Sequence, residues 1–255
     1  MTDISAANVM ELRQKTGVSM MECKKALSEA QGDEEKAIEI LRKRGAMKAA
    51  GKSDRTTAEG YVAISGNAIV SVRCETDFVA RNEDFRAFVS TIAAEASAKG
   101  AAAAEAKFAA EKDAKIAQIG ENITLGEVQI VTAATVGGYV HTTGKVGALI
   151  GLEGGNAELA AEVAMHVTAL NPSVLHPDDI SDELVAKEKA IWADQLKTEG
   201  KPEKIWDNIM MGKEKKFREE SALVKQPFVK NQEKTIEQYL QEHGAHVVDF
   251  ARAQV

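Results

Sequence analysis

Cysteine, proline and aromatic residues are scarce in this chain of 255 residues, and each scarcity excludes something. The two cysteines, Cys23 and Cys74, stand far apart without a CxxC spacing. Such a pair fits reduced cytosolic thiols better than a disulfide framework or a metal site. No apolar run is long enough to span a bilayer. The first residues, Met1 to Ile4, lack the basic-then-apolar order of a secretory signal, and the Arg-rich character of a transit peptide is missing too. The expected location is therefore cytoplasmic, away from membranes. A net charge of −7 argues against bulk nucleic-acid binding, which needs a basic face. No GxxxxGKS/T phosphate loop, HExxH helix or GxSxG elbow is present. His243 and His246 have a metal-compatible spacing but no third ligand, so they read as surface histidines. Gly151 to Gly155 precedes a helix and could mimic a phosphate cradle, although a lone glycine cluster is a weak motif. No catalytic residue, cofactor or metal is expected.

What is present is an ordinary globular composition, 44% apolar and 28% charged, in a chain long enough for two or three small domains. Residues 1–54 read as three short helices. Ser19 and Glu22 have a capping-box spacing, and Gly45 is expected to stop the third helix. Val9, Leu12, Ala26, Leu27, Ala37, Ile40 and Leu41 fall at helical spacing and share one small core. The size resembles a ubiquitin-associated-type module. Met20 and Met21 are adjacent in one helical turn and cannot both face that core. Either one is exposed or both are partly buried between helices. Met47 to Thr57 reads as a polar linker. Residues 55–137 then carry a hairpin around Ser65-Gly66-Asn67, a helix from Asp84 to Ala98 with Phe85, Phe88, Val89 and Ile92 inward, and an Ala-rich solvated helix from Ala101 to Ile119. Val128 to Ala134 reads as a strand leading into residues 138–255. Within these, 181–223 form an antiparallel helical hairpin. Its seam sets Val185, Trp192 and Leu196 against Ile205, Ile209 and Phe217, and Pro202 sits in the first turn of its second helix. The fold class is α+β: a helical module, then two repeated antiparallel-sheet-plus-helix subdomains, the second carrying the hairpin.

The repeat is visible in the residues. Gly60-Tyr61-Val62 recurs as Gly138-Tyr139-Val140, and Gly66 as Gly144. Without gaps, that register pairs Val72 with Ile150, Glu75 with Glu153, Phe85 with Val163, Val89 with Val167 and Ile92 with Leu170. Glu75 and Glu153 could be paired carboxylates for acid–base work, but their equivalence favours a shared structural role. At the strand-to-helix junction the copies part: Thr76, Asp77 and Phe78 stand where the second copy has Gly154, Gly155 and Asn156. A large aromatic at such a junction either folds under the helix or has a task beyond folding. The second copy turns without an aromatic, which favours the task.

The run from Thr76 through Asp77, Phe78, Val79, Ala80 and Arg81 to Asn82 resembles the signature of the elongation factor Ts family, the guanine-nucleotide exchange factors for elongation factor Tu. Glu11 to Gly17, Met20 to Leu27, Ile119 to Ile123, Ala164 to Val167 and Gln226 to Val229 resemble the same family, in its order. The resemblance implies that elongation factor Tu, GDP-bound or nucleotide-free, is the partner. Phe78 would insert near the partner's Mg²⁺ and phosphate region with Asp77, Thr76 and Val79 beside it. Arg13, Met20, Met21 and Ile119 would grip its nucleotide domain, and His141, Val229 and Lys230 would make further contacts. In some members the inserted hairpin forms a homodimer contact, and some continue into a further partner-binding C-terminal helix that is not seen before Val255. The alternative is a ubiquitin-associated-type adaptor fused to an unrecognised enzyme. It would need a catalytic constellation within 55–255, or a reactive Cys74.

Overall fold

The computed structural model describes residues 4–255; Met1, Thr2 and Asp3, part of the stretch read above for a leader, lie outside the described residues. Two compact units divide the chain: Met1–Ile130 with Ala253–Val255, and Val131–Arg252. Each mixes helices with a small sheet, as an α+β chain does.

The first unit begins with α1 (Ala6–Thr16), α2 (Met20–Glu29) and α3 (Glu34–Ala50). Each starts on a side-chain cap, in turn Ser5, Ser19 and Asp33, that accepts one of the orphan N–H groups of the first turn. Ser19 makes only half of the expected capping box. The Glu22 carboxylate faces Arg44 and Lys48 at 3.6 and 3.7 Å. Val9, Leu12, Ala26, Leu27, Ala37 and Leu41 are buried together as expected, Ile40 packs against them, and Cys23 and Ala30 join them.

Gly45 does not stop α3. The helix runs on to Ala50, and Gly45 is buried against α6 (Ala101–Ile119), where a Cβ would lie 3.5 Å from the Ala117 methyl. Packing between the two helices outweighs the roughly 1 kcal/mol that glycine costs inside a helix. Nor is Met47 to Thr57 a free linker. Ala49 belongs to the core of the first sheet, and the Asn122 amide donates to the Ser53 and Arg55 carbonyls at 3.3 and 3.0 Å. The Ala-rich α6 is not solvated all round. Ala104, Phe108 and Ile116 recur at four-residue multiples on one face and are buried, with the Phe108 ring 5.9 Å from that of Phe88.

The first sheet has the order β1-β2-β3, with β1 at Glu59–Ser65, β2 at Ala68–Cys74 and β3 at Ile123–Ile130. Gly60 pairs with Arg73, and a Cβ at Gly60 would fall 2.3 Å from the Val72 carbonyl oxygen, so only glycine fits. The strand expected at Val128 to Ala134 instead begins at Ile123 and pairs with β2, completing the first sheet. Between β2 and β3 lie α4 (Asp77–Arg81), α5 (Glu83–Lys99) and α6. Phe85, Phe88, Val89 and Ile92 of α5 are buried against the sheet.

In the second unit β4 (Thr135–Val140) and β5 (Val146–Glu153) form the second hairpin, followed by α7 (Ala157–Leu170). The sheet order is β4-β5-β8, with β8 at His246–Gln254. Ile150, Val163 and Val167 are as buried as Val72, Phe85 and Val89, so the repeat holds through the core. It is not gapless. Gly138 pairs with Leu149, two residues away from the Gly151 that the first copy predicts. A shift of two keeps every side chain on its own face. Leu170 ends α7 and is 47% exposed, whereas Ile92 is buried. Packing accounts for glycine within Gly151 to Gly155: a Cβ at Gly154 would lie 2.3 Å from the Gly244 carbonyl oxygen.

Also in the second unit, α8 (Asp182–Thr198) and α9 (Trp206–Ser221) form the helical hairpin. Val185, Trp192 and Leu196 are buried, with the Trp192 ring edge-on to Phe217 at 5.8 Å. Ile205 leaves the expected seam. It lies in a 3-10 turn, Glu203–Ile205, before α9 starts, and is 42% exposed; Pro202 caps that turn instead of opening the helix. The short strands β6 (Pro227–Phe228) and β7 (Asn231–Thr235) and then α10 (Ile236–Glu242) lead from the hairpin to β8.

Candidate functional site

Five residues are too few for a helix to nucleate alone, so α4 persists only where its surroundings hold it. Thr76 caps it, its Oγ1 accepting the Val79 N–H at 3.4 Å and its carbonyl accepting the Ala80 N–H at 3.1 Å. Asn82 ends it and at once caps α5 through the Phe85 N–H at 3.1 Å. Ala80 is buried and Val79 half-buried against the first core. The opposite side of the turn carries Phe78, 82% exposed. Phe78 therefore does not fold under α5, where Phe85 and Phe88 already fill the space. Asp77 beside it is half-exposed and pairs with Arg81 at 3.2 Å, a surface contact weak enough for a partner to displace.

A carboxylate from the α6–β3 turn holds this junction. Glu121 Oε2 accepts the N–H groups of Glu75 and Thr76 at 3.1 and 3.0 Å, and its Oε1 accepts the Thr76 hydroxyl at 2.6 Å. Glu75 returns the contact, accepting the Asn122 N–H at 2.6 Å and facing Arg55 at 3.5 Å. Glu75 and Glu153 share no role, because Glu153 is an exposed partner of His246. Cys74 lies beneath, its thiol donating to the Thr76 carbonyl at 3.3 Å. Burial pushes that thiol up to about 12, with Glu121 and Glu59 adding to the shift. A thiol so rarely ionised is a poor nucleophile, so Cys74 is not the reactive cysteine that the adaptor-enzyme alternative could have used.

Of the other positions singled out in the sequence, Arg13 is exposed on α1. Met20 and Met21 are both exposed, at 37% and 64%, because Cys23, Ala26 and Leu27 already form the core-facing stripe of α2. Neither expectation for that pair, one exposed or both partly buried, describes this. Ile119 is the half-buried last residue of α6, two positions before Glu121, so its turn and the Thr76–Val79 turn are bound to each other. In the second unit, exposed His141 sits at the β4–β5 turn with Nδ1 2.9 Å from the Thr143 hydroxyl. Val229 and Lys230 are exposed at the β6–β7 turn, Lys230 meeting Glu162 at 3.0 Å. Among the described residues, no group of three or more His, Cys, Asp and Glu could hold a metal ion, and no helix is long and apolar enough to cross a membrane.

Two residues that position these turns lie in runs that carry the resemblance, Glu121 in Ile119 to Ile123 and His166 in Ala164 to Val167, but no role for either follows from the sequence. Glu121 acts through a contact 45 residues away, which leaves no local signal. His166 is the other. It is fully buried, Nδ1 accepting the Val229 N–H at 3.2 Å while Nε2 lies 3.0 Å from Gln226 Oε1. Those partners require the neutral ring protonated on Nε2. Burial pushes its pKa down, against a smaller upward pull from Gln226. The unfolded chain then binds the proton near the ordinary value of about 6.5 and the folded chain only at lower pH. Stability is complete above about pH 6.5 and is expected to fall as pH drops through the folded pKa, by at most about 1.4 kcal/mol per pH unit for this group. Urea midpoints measured from pH 7.5 to 5 check this, with His166→Gln flattening the dependence.

A model of the family described as Elongation factor TS matches residues 75–255. Elongation factor Ts of Hahella chejuensis is 44% identical over 265 residues, covering 100% of this chain and 93% of the relative. That of Teredinibacter turnerae is 45% identical over 265 residues, covering 99% and 90%. That of Vibrio vulnificus is 44% identical over 258 residues, covering 99% and 91%. Likeness of this extent, with the family model spanning the exposed Phe78 turn and everything after it, leaves one assignment: the chain belongs to the elongation factor Ts family.

Proposed function

We propose that this chain accelerates GDP release from elongation factor Tu by setting the Asp77–Phe78 end of α4 into the Mg²⁺ and phosphate region of that GTPase. Its family is that of the nucleotide exchange factors for elongation factor Tu. The observation that carries the wedge is Phe78 itself, 82% exposed on a turn capped at both ends. Mg²⁺ and the phosphates are held by many charge-assisted contacts, so release is slow until those contacts are disturbed. An exchange factor binds the nucleotide-free partner more tightly than the loaded one, and linkage makes nucleotide and factor weaken each other by the same factor. A preorganised aromatic serves this well, since no binding energy is lost in ordering it. No bond is made or broken, so the chain needs no catalytic group of its own, no cofactor and no nucleic acid.

Arg13, Met20, Met21 and Ile119 would support the wedge on the nucleotide domain, with His141, Val229 and Lys230 gripping the partner elsewhere. The exposed Ile191, Ile205 and Met211 of the helical hairpin suit a contact with a second copy, of the kind that some members of the family make. The test is to load elongation factor Tu with a fluorescent GDP and follow its loss into excess unlabelled nucleotide. Addition of this protein is expected to accelerate the loss. A folded protein without effect on a partner from the same organism would overturn the proposal.

A further inference from the structure

The geometry points to Glu121 as the positioning residue that folds α4 before any partner arrives, by orienting the Thr76 hydroxyl that caps it; this rests on the wedge reading of Phe78. The hydroxyl has one proton and two lone pairs. Glu121 Oε1 takes the proton at 2.6 Å, which turns a lone pair toward the Val79 N–H. Glu121 Oε2 meanwhile fixes the backbone before the helix, accepting from Glu75 and Thr76. One carboxylate thus accepts three hydrogen bonds from two consecutive residues, and the bonds to an ionised acceptor are the strong kind. The reverse contact, Asn122 N–H to Glu75 at 2.6 Å, locks the α6–β3 turn to the same place. Asn122 also holds the Ser53 and Arg55 carbonyls, and Lys52 donates to the Gly120 carbonyl. The Phe78 turn, the Ile119 turn and the end of the helical module are one hydrogen-bonded clasp.

A five-residue helix without this clasp would spend much of its time unfolded, and its aromatic would have to be ordered on binding. Glu121→Gln keeps the size and an oxygen for the two N–H groups but presents an amide donor to the hydroxyl. It is expected to speed amide hydrogen exchange at Val79 and Ala80 by at least about tenfold while the α5 amides stay protected. It should also slow GDP release at saturating protein by at least about threefold. In a Phe78→Ala background the same change should cost under about 1.5-fold, because residues acting through one another are not additive. Should Glu121→Gln fail to fold, Thr76→Val removes the hydroxyl alone and carries the same three readouts. Unaltered α4 exchange, full-speed GDP release, or an undiminished loss in the Phe78→Ala background would each overturn the role of Glu121 and leave the wedge standing. A Phe78→Ala protein of full activity would instead remove the wedge and this inference with it. Loosened α4 amides would then report the clasp as a feature of folding alone.

Discussion

Phe78→Ala is expected to slow GDP release from elongation factor Tu at saturating protein by at least about tenfold, with the unfolding midpoint almost unmoved. The two halves of this result come from one observation. Phe78 is 82% exposed, so its removal opens no cavity, and a surface truncation of this kind changes stability by about 0.5 kcal/mol or less. A large aromatic that stays exposed on a rigid turn has the profile of an interface hot spot, where truncation to alanine costs about 2 kcal/mol or more, and a wedge makes its contact as the nucleotide site opens, so the cost falls on the limiting rate. Each 1.4 kcal/mol is about tenfold. Circular dichroism and urea unfolding beside the fluorescent GDP assay separate the halves. A destabilised variant would return Phe78 to the core. A stable variant with full activity would mean that the partner is opened by another part of the surface. Phe78→Leu keeps apolar bulk without the flat ring, and an intermediate rate would place part of the effect in shape.

The parts of the fold that follow a simple period were legible in the sequence. The turn at Ser65-Gly66-Asn67 between two apolar runs gave β1 and β2, and the 3.6-residue stripe gave Phe85, Phe88, Val89 and Ile92 as the inner face of α5. What local pattern could not reveal was decided by distant partners. Gly45 looks like a helix stop until α6 is packed on it. Three apolar anchors in α6 were hidden among alanines that fit a solvated helix equally well. The repeat was legible as a packing pattern, but its two-residue shift depends on how each hairpin turns.

The Phe78 turn shows the same divide. The aromatic was visible as an oddity against the second copy, which has glycine and asparagine there. Composition alone favours a buried phenylalanine, and it was the comparison with the second copy and the family resemblance that pointed to exposure. The short helix that presents it was hidden. Its cap acts through Glu121, 45 residues along the chain.

Phe228→Ala should show the opposite profile, a loss of roughly 3–5 kcal/mol of stability, which a urea titration would reveal as a large fall in midpoint. Phe228 is 1% exposed, stacked on Tyr239 with ring centroids 4.4 Å apart and tilted toward His166 at 6.0 Å. Its removal leaves a cavity beside Tyr239 in a core that also holds Val163 and Val167 of α7 and Ile236 and Leu240 of α10, elements that limit how far the site can collapse. Phe228→Leu fills most of that space and should cost much less. The consequence for function is indirect. Val229 and Lys230 follow Phe228 in the chain, and the Val229 N–H is held by His166 in the same cluster. Loosening the ring therefore loosens a turn proposed to grip the partner, and exchange should weaken through affinity, recovering as protein concentration is raised. With Phe78→Ala the loss should persist at saturation, because there the missing ring is the element that acts on the nucleotide site. The same amino acid, truncated in the same way, is thus expected to lower stability and affinity at one position and the limiting exchange rate at the other. Burial alone decides which.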